Sequence, residues 1–431
     1  MLSLWTKLTH KLTQSSWTTN TLWMFLSQGL RLVLQGIYFT IAVKALRPEQ
    51  YGAFIAATAL VEIVSPFSTL GAGDVMIKEV SRDRASFPKY WGNALLLNFL
   101  SAIVLIVLLV LVAPMVLPKG FPMELIVIAA ITNLIFGRLI SLAANAYQAV
   151  GNLKRTAQLE IIPHALRAGA AIAMVNLIPN PKAIDWLIFG LVSIGLSGIL
   201  SLLFVHLELG APKFTGRIRK AELLEGSYFA VGLSAQSIYN DIDKTMLARL
   251  ATLEATGFYA AAYRLLDMAF VPVRSLLASS YSRFFEAGKS GVRGSLTIAR
   301  RILPIMLGYS AIAAIGLMLC APIVPMILGA EYGSTVEALR WLAPILVFRA
   351  LQFIAADTLA GADLQSHRSA IQVTIALINI GLNFWLIPQF PSAPWKGAMW
   401  SSLASDCLLM LSLWFTVFWQ YRKEKLMLLR S

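Results

Sequence analysis

Charge is what this sequence has least of. Only 13% of its 431 residues are Asp, Glu, Lys or Arg and 58% are hydrophobic, whereas soluble domains carry roughly 25% charge and about 45–50% apolar residues. That leaves too little polar surface to cover a water-soluble globule, which excludes an ordinary soluble enzyme. Disorder is excluded as well, because it needs the opposite composition. Cysteine is nearly absent: Cys320 and Cys407 lie far apart in apolar runs, so there is neither a disulfide framework nor a metal-binding spacing. The four histidines (His10, His164, His206 and His367) are too scattered for a metal site. No glycine-rich phosphate loop follows a strand pattern, so no ATPase and no nucleotide cofactor is expected. Acids are scarcer than bases, 22 against 36, for a net charge of +14. In a soluble chain this would suggest nucleic acid; here the partners expected are anionic membrane lipids, and no nucleic acid.

What is abundant is long apolar runs. A membrane-spanning helix needs about 20 mostly apolar residues, and twelve stretches qualify: roughly 22–43, 52–76, 94–116, 124–148, 159–178, 184–206, 225–250, 257–282, 303–327, 337–361, 369–388 and 397–420. Turn and stop residues separate them, among them Pro48, Pro118-Lys119-Gly120, Pro179-Asn180-Pro181 and Pro388 to Pro394. The expected fold class is therefore all-α, a polytopic membrane protein. With the N-terminus in the cytoplasm, 22 Lys and Arg fall on the cytoplasmic side and seven outside (Lys44, Arg47, Lys119, Lys182, Arg249, Arg340 and Lys396). This positive-inside asymmetry puts both termini in the cytoplasm. The first span is too long for a signal-peptide core and is expected to be retained. Before it, Leu4, Trp5, Leu8 and Leu12 fall on one face beside Lys7 and Lys11, a pattern shared by a short interfacial helix and a frayed tail. Aromatic residues near span ends, such as Tyr90-Trp91 and Trp414 to Tyr421, read as interfacial belts.

The chain also repeats itself. At an offset of 205, Glu49, Gly52, Ala56 and Ala57 coincide with Glu254, Gly257, Ala261 and Ala262, Phe54 meets Tyr259, and Glu62 meets Asp267. Six spans per half make the repeat parallel, a standard transporter layout with the substrate site between the halves. The expected domains are an N-lobe over 1–206, a cytoplasmic linker over 207–224 and a C-lobe over 225–431.

Seven basic residues remain inside the spans: Arg31, Arg138, Arg167, Lys244, Arg264, Arg274 and Arg349. A charge at a helix centre costs roughly 2.5–3.5 kcal/mol on insertion scales, so these residues must pair, reach water or line a cavity. Candidate partners are Glu62, Asp241, Asp243, Asp267 and Asp357; Arg31 and Glu62 lie at similar depth, and Arg264, Asp267 and Arg274 are spaced to share one helix face. Glu160, His164 and Arg167 share a face of the fifth span. Arg167 and Arg274, close to span ends, are open to a second reading, that they snorkel. Arginines at mid-depth suit an anionic cargo, since the guanidinium matches phosphate and never deprotonates. Asp241-Ile242-Asp243 has the spacing of a metal-holding DxD pair but sits in a span without a nucleotide-binding domain, so no metal is expected.

Several runs resemble the Wzx-type polysaccharide-biosynthesis flippases of the MOP superfamily. They are Leu26-Ser27-Gln28-Gly29-Leu30-Arg31, Lys44-Ala45-Leu46-Arg47-Pro48-Glu49-Gln50-Tyr51-Gly52, Leu70-Gly71-Ala72-Gly73 with Ile77-Lys78-Glu79, Thr256 to Arg264, and Asn379 to Pro388 with Gly397-Ala398. The longer external loop Gln389 to Lys396 departs from the family pattern. The resemblance implies two six-helix lobes around a central cationic cavity. It implies a non-enzymatic carrier in the bacterial inner membrane that flips oligosaccharide on a polyprenyl-pyrophosphate, with a glycan polymerase and chain-length regulator as partners. Arg31, Arg138, Arg264, Arg349 and Arg274 would then hold cargo, and Glu62, Asp241, Asp243, Asp267 or Asp357 would pair with them or hold a coupling H+ or Na+. The rivals are a MATE-like drug or cation antiporter, whose cavity would favour carboxylates, and a glycan polymerase or ligase, which would carry a large external loop. A MurJ-type lipid II flippase would have two further spans.

Overall fold

The computed structural model describes residues 16–216 and 220–428; the proposed interfacial residues Leu4 to Leu12 lie outside them. Among the described residues the chain is helical throughout, without a strand. Helix lies over all twelve expected stretches, but length and apolarity alone qualify seven of the described helical segments as membrane spans. The bent pair Ala330–Leu342 and Ile345–Gly361, meeting at 46°, brings the number to eight.

The chain divides into two units. The first takes the chain through Leu46, then Leu60–Met115 and Gly120–Ser234; the second takes Arg47–Ala59, Val116–Lys119 and the chain from Ala235. Arg47–Ala59 groups with the second unit, and the described residues of the linker region group with the first.

In the first unit, α1 (Ser16–Val64) runs to a 3-10 turn at Ser65–Ser68 and is followed by α2 (Ala72–Arg82), α3 (Phe87–Val116) and α4 (Met123–Ala130). A π-turn over Ile131–Gly137 then leads into α5 (Arg138–Ala149), α6 (Leu153–Leu177) and α7 (Ala183–Leu209). Local chemistry sets the ends: Asn152 caps α6 by accepting from Arg155 N at 3.2 Å, and the Asp185 carboxylate accepts from Lys182 N at 2.8 Å. The core gathers Trp91, Tyr147, Met76, Val80, Leu142 and Val205. Tyr90 and Trp91 are accordingly core residues and not an interfacial belt; Trp91 is fully buried in this cluster. The expected linker is also pinned to this unit. Lys213 N donates to Pro88 O at 2.7 Å, and Gly92 leaves the space that the Lys213 backbone occupies.

The second unit holds α8 (Lys220–Leu250) from Ala235 on, α9 (Leu253–Ala269), α10 (Val271–Gly288), α11 (Val292–Cys320), α12 (Val324–Leu328), α13 (Gly333–Leu342), α14 (Ile345–Gly361), α15 (Gln365–Leu386) and α16 (Pro394–Leu428). The expected eighth span is two helices: Pro272 at the start of α10 ends α9 at Phe270. Into this unit comes the end of α1, which breaks at Arg47 (φ 57, ψ 170) immediately before Pro48. A non-glycine residue in that region stores about 1–3 kcal/mol. The break sets Arg47–Ala59 against α9 at backbone contact. A side chain on Gly52 would collide with the Leu253 carbonyl, and one on Gly257 with the Pro48 carbonyl. These glycines are the repeat-matched pair, and their partners Pro48 and Leu253 are offset by the same 205 positions, so the contact has the reciprocity of a two-fold interface.

Candidate functional site

In the second unit, four helices bring charged and polar side chains together. Asn240, Asp241, Asp243 and Lys244 come from α8, Tyr259, Tyr263, Arg264 and Asp267 from α9, Arg349 and Gln352 from α14, and Ser402 and Asp406 from α16. The Lys244 ammonium donates to Asp241 Oδ1 at 2.7 Å and Asn240 O at 2.6 Å, and stands 4.0 Å from Asp243 Oδ1. Asp243, almost fully buried, accepts from Tyr259 Oη at 2.5 Å and from Ser402 Oγ at 3.3 Å. Arg349, also buried, donates to Asp267 Oδ1 at 2.9 Å, and Arg274 reaches the same oxygen at 3.2 Å. The Tyr263 ring lies under both the Arg349 guanidinium (5.4 Å) and the Lys244 ammonium (5.1 Å). Arg264 adds its field to Asp267. Every expected in-span charge of this unit except Asp357 thus belongs to one network.

Two expectations are corrected. Arg274 does not continue the face of Arg264 and Asp267, since the helix breaks between them; it meets Asp267 from the start of α10. Asp357 does not join the network but pairs with Arg368 at 3.6 Å. One acid was missed. Asp406 is buried on α16 and accepts from Gln352 Nε2 at 2.7 Å. It is the single charged residue between Gly397 and Gln420, a signal as clear as any of the others.

Beside this network lies a partly open recess with about 900 Å³ of empty space, open solvent at its mouth included. Arg274, Arg349, Gln352, Gln372, Asn240 and Tyr239 supply its polar lining, with Phe353, Ala356, Leu409 and Leu413 as apolar wall. No carboxylate is among its lining residues, although Asp267 holds both lining arginines. Such a surface offers two guanidinium forks for an anionic group, amides and a phenol for hydroxyls, and an apolar wall for carbon–hydrogen faces.

The first unit holds a parallel arrangement on equivalent elements. Arg138, immediately after the π-turn, donates through Nε to Ser65 Oγ at 2.9 Å and lies in the field of Glu62, the repeat match of Asp267. π-Turns recur at functional sites because they re-aim a side chain off the regular helix. Arg31, expected near Glu62, shares its field with Glu160 of α6. In each half an acid on the second helical run is thus coupled to an arginine on the fourth, and an irregularity precedes that arginine: the π-turn before Arg138 and the 46° bend before Arg349.

The Tyr259 bond to Asp243 gives a direct test of the network. A hydrogen bond to a charged group contributes about 1.5–3 kcal/mol, so Tyr259→Phe should lower the thermal midpoint of detergent-purified protein measurably. An unchanged midpoint would mean that Ser402 and the Lys244 backbone alone hold Asp243.

These features define a multi-pass helical membrane protein with a buried charge network in its second unit. Residues 17–286 match the family described as polysaccharide biosynthesis protein, and the chain belongs to that family. No curated protein matches the sequence significantly. Among solved structures, the chain is similar to a multidrug resistance MATE family transporter of the MOP superfamily in an inward-facing conformation. That match has 14% identity and a TM-score of 0.75 over 91% of this chain and 94% of the other. An outward-facing structure of such a transporter matches at 14% and 0.66 over 96% and 98%. A MOP superfamily transporter from Pyrococcus furiosus Vc1, described by the reverse polarity of its binding pocket, matches at 14% and 0.66 over 96% and 97%. At such identity the likeness is one of fold, and the fold is that of MOP superfamily transporters.

Proposed function

We propose that this protein flips an oligosaccharide carried on a polyprenyl-pyrophosphate from the cytoplasmic to the outer leaflet by alternating access, for assembly of O-antigen or exopolysaccharide. One observation carries the reading: the recess is lined by two arginines, amides and a tyrosine, without a carboxylate. Arg349 and Arg274 of the second unit, with Arg31, Arg138 and Arg264, hold the anionic parts of the cargo, and the polyprenyl tail stays in lipid. With both termini in a negative cytoplasm of the inner membrane, outward movement of anionic cargo gains about 2.3 kcal/mol per charge per 100 mV. An H+ or Na+ held at Glu62, Asp241, Asp243 or Asp267 would add drive. The pathway supplies a glycan polymerase and a chain-length regulator as partners. A specific observation favours a second reading, a MATE-like cation antiporter: around the recess the carboxylates Asp241, Asp243, Asp267 and Asp406 equal the cations Lys244, Arg264, Arg274 and Arg349 in number.

Complementation of a flippase-null strain separates the two. The wild-type chain should restore surface glycan without raising drug resistance, and Arg31→Ala and Arg264→Ala should each abolish rescue at unchanged protein level. Full rescue by both variants would remove these residues from the cargo path. Drug efflux without rescue would favour the antiporter.

A further inference from the structure

Gln352 is held in one orientation. Its Nε2 donates to Asp406 O and to Asp406 Oδ1, each at 2.7 Å, which uses both hydrogens of the amide. Its Oε1 accepts no hydrogen bond among the described residues, yet it is not sealed in protein. Gln352 borders the second-unit recess, so what it has left to offer there is an acceptor alone. An ionised phosphate or carboxylate oxygen has no hydrogen to give such a group; a hydroxyl or an amide N–H has.

The same helix sets this acceptor beside a cationic point. Arg349, Gln352, Phe353 and Ala356 follow the i, i+3, i+4, i+7 spacing of one face of α14, and all of them line the recess. Positions three apart on a helix lie about 5–6 Å from one another at Cβ, the scale of the step from a phosphate to the hydroxyls of the sugar it esterifies. Arg349 and Arg274 share the single oxygen Asp267 Oδ1, so two guanidiniums face one carboxylate and keep donors free for an anion. Phe353, its ring 5.7 Å from that of Phe270, adds a flat apolar surface beside Gln352. The side-chain amides of Asn240 and Gln372, also in the lining, make no hydrogen bond among the described residues.

We propose that the recess reads the sugar joined directly to the pyrophosphate. The arginines take the phosphate, Gln352 Oε1 accepts from a hydroxyl or acetamido N–H of that sugar, and Asp406 is the positioning residue that turns the amide this way. Resting on the flippase reading, this makes Gln352 the residue that tells a sugar-bearing carrier from a bare one.

The test is equilibrium binding of polyprenyl-pyrophosphate to the full-length protein in nanodiscs, the lipid being bare or bearing glucose, galactose or N-acetylglucosamine. Wild type should bind at least one sugar-bearing lipid about fivefold to tenfold more tightly than the bare one, the worth of one or two hydrogen bonds. Gln352→Met, which lacks the acceptor, should erase that preference. Because Met also leaves Asp406 without its donor, Gln352→Lys is run beside it: an ammonium still donates to Asp406 but accepts nothing, so the preference should vanish again. Asp406→Asn, which still accepts from the amide, should keep the preference, and Asp406→Leu should lose it. A merely structural Asp406 would move the thermal midpoint and leave the preference alone. One affinity for bare and sugar-bearing lipids alike overturns the sugar subsite and leaves the flippase reading intact, whereas binding of none of them removes both. A preference that survives both Gln352 variants overturns the role of Gln352.

Discussion

Gly257→Val should unseat α9 from Arg47–Ala59 and produce the largest loss of folded protein of any single substitution considered for this chain. The added side chain would start inside the Pro48 carbonyl, and a backbone oxygen held by its own helix has no rotamer with which to step aside. Overpacking costs typically 1–3 kcal/mol and occasionally more, and the rigid neighbour puts this site at the upper end. Gly52→Val should do the same from the other side, against the Leu253 carbonyl. The measurement is the monodisperse yield and thermal midpoint of detergent-purified protein. Gly308→Val is the matched control, since a side chain there meets nothing within 4 Å. If Gly257→Val and Gly308→Val melt together, the close approach is not a structural requirement of this unit.

Arg349→Ala should cost about 3 kcal/mol of stability and all transport. Breaking a buried ion pair by removing one partner costs about 3–5 kcal/mol, because the other charge is left behind. Here Arg274, with 52% of its side chain exposed against 8% for Arg349, still touches Asp267 and holds the loss to the lower end. The double variant Asp267→Ala/Arg349→Ala separates the two roles these residues can play. With no orphaned carboxylate it should regain most of the thermal midpoint, yet still fail to restore surface glycan in the flippase-null strain. Restored transport in the double variant would make the pair structural and remove Arg349 from cargo binding.

Much of this site could be read one residue at a time. A charge in an apolar run costs too much to be incidental, so Arg138, Lys244, Arg264, Asp267 and Arg349 stood out by composition alone. Asp406 obeys the same rule, though no basic residue lies in its own span. Its partner Gln352 comes from another helix. Pairings were less legible. Depth sets Arg31 level with Glu62 but says nothing of azimuth, and the fields that reach further, Glu62 on Arg138 and Arg31 on Glu160, depend on how the helices are rotated. The break between α9 and α10 was legible in Pro272, yet the apolar run across it concealed the change of direction that sends Arg274 back to Asp267.

By itself, the sequence determined that the protein is a helical, multi-pass membrane protein with a two-fold internal pattern, because solvation in a bilayer is decided by run length and composition. It also named nearly all the charges the interior must accommodate. The tertiary structure alone decided which charges neutralise one another, which two arginines face an open recess, and that Gly52 and Gly257 let two backbones touch. Those outcomes depend on how helices distant in sequence are rotated and how closely they approach, and a side chain's partner across a bundle leaves no trace in its local pattern.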